Sequence, residues 1–256
     1  MPRALATATV AVHAMARLAR QYAGMQATDP ALHALARGPL PERLALAAQA
    51  DAREELLILL ASDRAAPVRL AVAENPRAPL HADQLLACDP VAQIRASLAR
   101  KLAIHAAEMA TLRPDSAAWD TLRRLATDPA RQVRQVIADM LADLPQAPHE
   151  LVLSLSRDPD PAVSEPLIRL SRVLTEADLE GLIRDPDSRC AVARRLNLSA
   201  RLAEGVVASG DVQAMTALLR NPTAMVPTQL LLRLAGLARG EAQLSNALAE
   251  RCATTR

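Results

Sequence analysis

Aromatic side chains are almost missing from this sequence. It has no phenylalanine, one tryptophan (Trp119) and one tyrosine (Tyr22), although 51% of its 256 residues are hydrophobic. The interior must therefore be leucine, alanine, valine and isoleucine, which suits closely packed helices better than a sandwich or a barrel. Glycine is also scarce, with seven in all, which disfavours a glycine-rich phosphate loop or a turn-dense β fold. Lysine is reduced to Lys101, so arginine carries nearly all the positive charge; 30 basic residues against 28 acidic ones leave a net charge of only +2. That balance excludes a strongly basic nucleic-acid coat, and the apolar content excludes disorder as the main state. Cys88, Cys190 and Cys252 lie far apart without CxxC spacing, giving neither a disulfide framework nor a metal knuckle and fitting a reducing, cytoplasmic compartment. The strongest apolar run, Leu56 to Ala61, is far too short to span a bilayer, so no membrane insertion is expected.

The first residues have the outline of a secretory signal, with Arg3 ahead of an alanine-rich stretch ending Ala14-Met15-Ala16. The middle is a poor apolar core, with one leucine, two threonines and His13. Read as a helix, Leu5, Ala8, Val12, Met15, Ala19 and Tyr22 form one stripe opposite Arg3, His13, Arg17 and Arg20, so an amphipathic helix is the better reading.

What is abundant is repetition. Asp63, Asp89, Asp128, Asp158, Asp185 and Gly210 serve as anchors. Three residues before them stand Leu60, Leu86, Leu125, Leu155, Leu182 and Val207; five after stand Val68, Ile94, Val133, Val163, Cys190 and Met215; nine after stand Val72, Leu98, Ile137, Leu167, Arg194 and Leu219. Only Arg194 breaks the apolar rule. The pattern predicts a helix, a tight turn capped by Asp, frequently with Pro at the first helical position, and a second helix. Neither helix can bury its stripe alone, so successive pairs must stack. A degenerate earlier copy begins at Arg37. The long interval between Asp89 and Asp128 predicts one added helix and a turn, and the best subdomain boundary. The organisation expected is N-terminal amphipathic capping helices over 1–36, N-terminal repeats over 37–112, and C-terminal repeats with a closing helix over 113–256. The fold class is all-α, an α-solenoid or superhelix of short helical hairpins, with roughly sixteen to eighteen helices of about 8–14 residues.

The segment Asp128 to Arg134, which reads Asp-Pro-Ala-Arg-Gln-Val-Arg, resembles HEAT-like repeats, and Val68 to Pro76 resembles the leucine-rich-repeat variant. Leu57 to Pro79, Leu151 to Pro166, Leu174 to Leu179, Ala191 to Leu196 and Leu218 to Pro222 together resemble an uncharacterised bacterial family, domain of unknown function 2336, from about residue 40 to the end. The resemblance implies a helical-repeat fold and no activity.

Arginine stands six residues after the early anchors, at Arg43, Arg69, Arg95 and Arg134. Such residues form either a charge-assisted ladder with the anchor aspartates or a row gripping anionic groups; the ladder is favoured. Arg194 and Arg195, with Arg189 and Arg201 nearby, form a local basic cluster. Arg194 occupies an apolar position and so is a candidate contact; against that stands a shifted helix with Val192 and Leu196 inside and the arginines in solvent. The five histidines are scattered. His105 with Glu108, and the single His149-Glu150 pair, are too little for a metal site, and neither Cys88 nor Cys190 looks activated. No catalytic residue, metal or cofactor is expected. With one Trp and one Tyr the chain can supply little base stacking, which disfavours nucleic acid. The expectation is a non-catalytic binding module whose concave face holds another protein. The alternative is an Arg-lined groove for nucleic acid or another anionic ligand, at its boldest resembling the HEAT-like DNA glycosylases.

Overall fold

The structure, a computed structural model, describes residues 30–109 and 117–254, and these contain sixteen helices and no strand. The amphipathic stripe from Leu5 to Tyr22 and the segment around 112/113 lie outside the described residues. The helices are α1 (Pro30–Ala36), α2 (Leu40–Ala48), α3 (Glu54–Leu60), α4 (Ala66–Glu74), α5 (Leu80–Leu86), α6 (Ala92–Met109), α7 (Ala117–Leu125) and α8 (Arg131–Ala142), then α9 (His149–Leu155), α10 (Pro161–Leu170), α11 (Glu176–Arg184), α12 (Pro186–Ala193), α13 (Ala200–Ala208), α14 (Val212–Leu219), α15 (Thr228–Leu237) and α16 (Ala242–Thr254). Contacts divide the chain into two units, Met1–Met140 and Leu141–Arg256.

In the first unit the helices from α1 to α7 each pack on a chain neighbour and on a helix two places away. α2, α4 and α6 form one layer, and α1, α3, α5 and α7 the other. The second unit repeats the scheme with α10, α12, α14 and α16 in one layer and α11 and α13 in the other. The apolar columns of the sequence are the reason. All six residues three before the anchors are buried, as are five of the six at each of the other two column positions. The exceptions are Cys190, half-buried, and Arg194, exposed. Full burial of each Val or Leu contributes about 2 kcal/mol, and Trp119, 1% exposed, fills the core of the first unit.

Three details differ from the sequence expectation. First, the long interval after Asp89 adds no helix among the described residues; it lengthens α6 to 18 residues. Second, the early aspartates are not N-caps. Asp63, Asp89, Asp128 and Asp158 accept a hydrogen bond from the N–H two residues on, at 2.8–2.9 Å, and the helix begins a residue later still. They fold the turn, as Asx side chains do. Only Asp185, followed by Pro186, caps its helix directly; in α10 and α14 the caps are Asp160 and Asp211. Third, because α12 starts immediately after Asp185, its register is shifted by two residues: Ser188 and Val192 are buried where Cys190 and Arg194 were expected, and Leu196 is exposed. Gly210, which stands where the other copies have Asp, has φ +73°, a left-handed turn after α13 that a side chain would strain.

Candidate functional site

The arginines predicted from the repeat occupy one structural position. Counted from the helix start, Arg43, Arg69, Arg95 and Arg134 are each the fourth residue of α2, α4, α6 and α8. Three of them make the same bidentate contact. Arg43 Nε lies 2.7 Å from Asp63 Oδ2 and its Nη2 3.1 Å from Oδ1. The corresponding distances are 2.6 and 3.1 Å for Arg69 on Asp89, and 2.6 and 2.8 Å for Arg95 on Asp128. The third nitrogen turns back: Nη1 of Arg69, Arg95 and Arg134 donates to the carbonyls of Asp63, Asp89 and Asp128. Each aspartate thus receives one arginine on its side chain and the next on its main chain, an unbroken relay from Arg43 to Arg134. Asp89 is fully buried and Arg69 is 11% exposed. The hydrogen bonds to Asp89 and Asp128 hold the Arg69 and Arg95 guanidinium groups above their ordinary pKa. Charge-assisted bidentate pairs of this kind are strong and geometrically selective.

The second unit, where the fourth residue of α10 is Ser164, holds one such arginine of its own. Arg189 is the fourth residue of α12; its Nε donates to the Ile183 carbonyl at 2.8 Å, and its Nη1 lies 3.9 Å from Asp211 Oδ2. It is the same rung in a looser form, hidden in the sequence by the two-residue shift of α12.

A second kind of joint, which the repeat pattern did not reveal, is made once in each unit at helix C-termini. Asn75 Nδ2 donates to the carbonyls of Ala47 and Gln49, both at 2.8 Å, and Asn221 Nδ2 to those of Ala193 and Arg195, at 2.9 and 2.8 Å. Each therefore satisfies carbonyls left open at the end of the preceding helix of its layer. Cations close other helix ends in the same layers, those of α4, α10 and α14. Lys101 Nζ donates to the Asn75 carbonyl. Arg195 donates to those of Ile168 and Ser171, at 2.5 and 2.6 Å, and Arg251 to those of Asn221 and Ala224, both at 2.7 Å. Burial holds the Arg195 and Arg251 pKa values below the ordinary one. The two asparagines stand in the Asn-Pro dipeptides of the stretches quoted for the resemblance, and that was the available signal; Arg195 caps rather than facing solvent.

Lys101 also pairs with Asp83 at 2.5 Å, both nearly buried. Burial, only partly offset by Lys101, pushes the Asp83 carboxyl up to about 6, and burial lowers Lys101. Burial likewise pushes the Cys88 and Cys190 thiols up, although Arg124 donates to Cys88 Sγ. His149 Nε2 lies 2.8 Å from Asp178 Oδ2, and His105 is exposed. The side chain of Glu108 lies outside the described residues. Among the described residues no three His, Cys, Asp or Glu side chains cluster as metal ligands, and no helix is long and apolar enough to cross a membrane.

An open groove of about 430 Å³ lies in the second unit, across α10, α12, α14 and α16. Arg169, Arg194 and Arg220 line it, with Gln213, Thr216 and Gln243. Arg194 and Arg220 are the C-caps of α12 and α14, equivalent positions one repeat apart. The side chains of Arg169 and Arg194 are about half exposed and converge on one atom: their Nη1 groups lie 3.7 and 3.2 Å from Glu165 Oε1.

The model of a family described as an uncharacterised protein conserved in bacteria (DUF2336) matches residues 163–256. No curated protein matches the chain.

Proposed function

We propose that the chain is a non-catalytic helical-repeat binding module, an α-solenoid of HEAT-like hairpins that holds another protein against a concave face as a scaffold or regulator. The observation that carries this reading is the engagement of Arg43, Arg69 and Arg95 by Asp63, Asp89 and Asp128. Guanidinium groups buried in bidentate pairs are committed to joining repeats, and the nucleic-acid reading loses the row on which it rested. The stacking of α1 to α7, and of α10 to α14 with α16, on helices two places away favours a solenoid in both units, and such stacks present long surfaces with few constraints on their outer residues. The three cysteines are free, which suits a reducing, cytoplasmic setting.

The test is capture of partners by the tagged full chain from a lysate of its native cell, with and without nuclease. Specific proteins retained after nuclease treatment and at raised salt support the reading. Loss of every partner with nuclease, together with tight binding of random duplex and a steep salt slope, overturns it.

A further inference from the structure

We infer that the groove across α10, α12 and α14 is a docking site for an acidic, extended peptide segment, with Arg169, Arg194 and Arg220 as its carboxylate receptors. This rests on the reading of the chain as a protein-binding module and names the surface and the partner chemistry. Two guanidinium groups from different helices, both lining the groove, meet at Glu165 Oε1, so the fold already gives this arginine pair a carboxylate oxygen. Glu165, itself outside the groove lining, is an internal partner of the Arg169 and Arg194 pair. Exposed ion pairs contribute little, so a second carboxylate with better geometry displaces Glu165 readily. Arg220 is similarly available: its partner Glu250 is 3.5 Å away, and both side chains are more than half exposed.

The rest of the lining suits a peptide. Among the described residues the side-chain amides of Gln213 and Gln243 have no hydrogen-bond partner, and each offers both a donor and an acceptor to a main chain lying across it. Leu196 is 50% exposed at the edge of the groove and offers an apolar contact. Aromatic platforms for bases are absent from the lining, which sets the site apart from single-strand nucleic-acid grooves. Arg194 and Arg220 cap adjacent stacked helices, which pack about 8–10 Å apart. An extended left-handed chain rises about 3.1 Å per residue with three residues per turn, so carboxylates three residues apart lie on one side at about 9 Å. That is the spacing the groove selects.

The experiment is panning of a short random peptide library on the full chain and, in parallel, on the Arg169→Ala/Arg194→Ala chain. Anisotropy with a labelled enriched peptide, and with a short DNA duplex, follows. The inference holds if enriched peptides carry paired carboxylates, bind the double variant about tenfold or more weakly, and bind Glu165→Gln more tightly than the parent. Enriched peptides without acidic pairs, or acidic ones indifferent to the arginine substitutions, overturn the groove inference and leave the scaffold reading standing. No enrichment at all also overturns it, with the lysate capture then deciding the scaffold reading alone. Arginine-dependent binding of the duplex in preference to any peptide overturns both.

Discussion

Arg69 holds Asp89 through two nitrogens, at 2.6 and 3.1 Å, and the carbonyl of Asp63 through the third, at 2.9 Å. One guanidinium therefore ties the turn that precedes its own helix to the turn that precedes the next helix of the layer. A pair buried this deeply is costly to break singly. Asp89→Asn keeps an acceptor for the Val91 N–H but leaves Arg69 without its counter-charge, and it is expected to cost about 3 kcal/mol. Arg69→Met/Asp89→Asn is expected to cost clearly less than the two single changes summed, because no charge is stranded. Urea midpoints of the four chains check both statements.

The asparagine staples give a second prediction. Asn221→Ala uncovers two carbonyls and is expected to lower stability by about 2 kcal/mol. Asn221→Asp, which retains the shape but cannot donate to Ala193 and Arg195, is expected to lower it more. Thermal unfolding of both variants, beside the corresponding pair at Asn75, decides whether the two sites are equivalent.

Two carboxylates respond to pH with opposite sign. Asp83 titrates near 6 in the folded chain, above the unfolded value of 3.8, so the folded state binds the extra proton between these values. Its contribution therefore makes stability fall as pH rises from about 4 to about 6. For Asp178, burial acts to raise the pKa. Hydrogen bonds from His149, the Thr175 hydroxyl and the Thr175 N–H outweigh burial and hold it at about 2. Its contribution is present above 3.8 and is lost as pH falls toward 2. Urea titrations across this range should lose the first slope in Asp83→Asn and the second in Asp178→Asn. A first slope that survives in Asp83→Asn contradicts the assignment.

Glycine substitutions should split cleanly. Gly210 has φ +73° and Gly181 sits within α11; an added Cβ meets nothing within 4 Å at either position. With steric clash excluded at both, only backbone preference differs. Gly210→Ala is expected to cost about 1 kcal/mol, and Gly181→Ala to stabilise by about 0.5–1 kcal/mol. Calorimetry on the two single variants reads the sign directly.

The all-helical fold and the buried columns were legible because apolar spacing is a local signal. The arginine rungs were legible as candidates because three aspartates keep constant distance from the helix they precede. Arg189 was not, because counting from Asp185 misplaces it by the two residues that α12 begins early. Asn75, Asn221, Arg195, Lys101 and Arg251 act on main-chain carbonyls roughly one repeat away, and a carbonyl leaves no mark in a sequence. The groove lined by Arg169, Arg194 and Arg220 depends on helices that meet only in space; Arg194 drew notice because it broke a column and belonged to a basic cluster.

The relay from Arg43 through Asp63, Arg69 and Asp89 to Arg95 also defines what could be inherited as a piece. Arg43, Arg69 and Arg95 recur at equal intervals, so cutting out residues 44–69 would bring Arg43 into the place Arg69 holds opposite Asp89. Cutting out residues 44–95, two such intervals, would bring it opposite Asp128 in the same way. Chains of this kind can therefore lengthen or shorten by whole modules through duplication or loss, and the 33 residues between Arg95 and Asp128, against 20 in the two earlier pairs, mark where one module absorbs extra length without losing its joint.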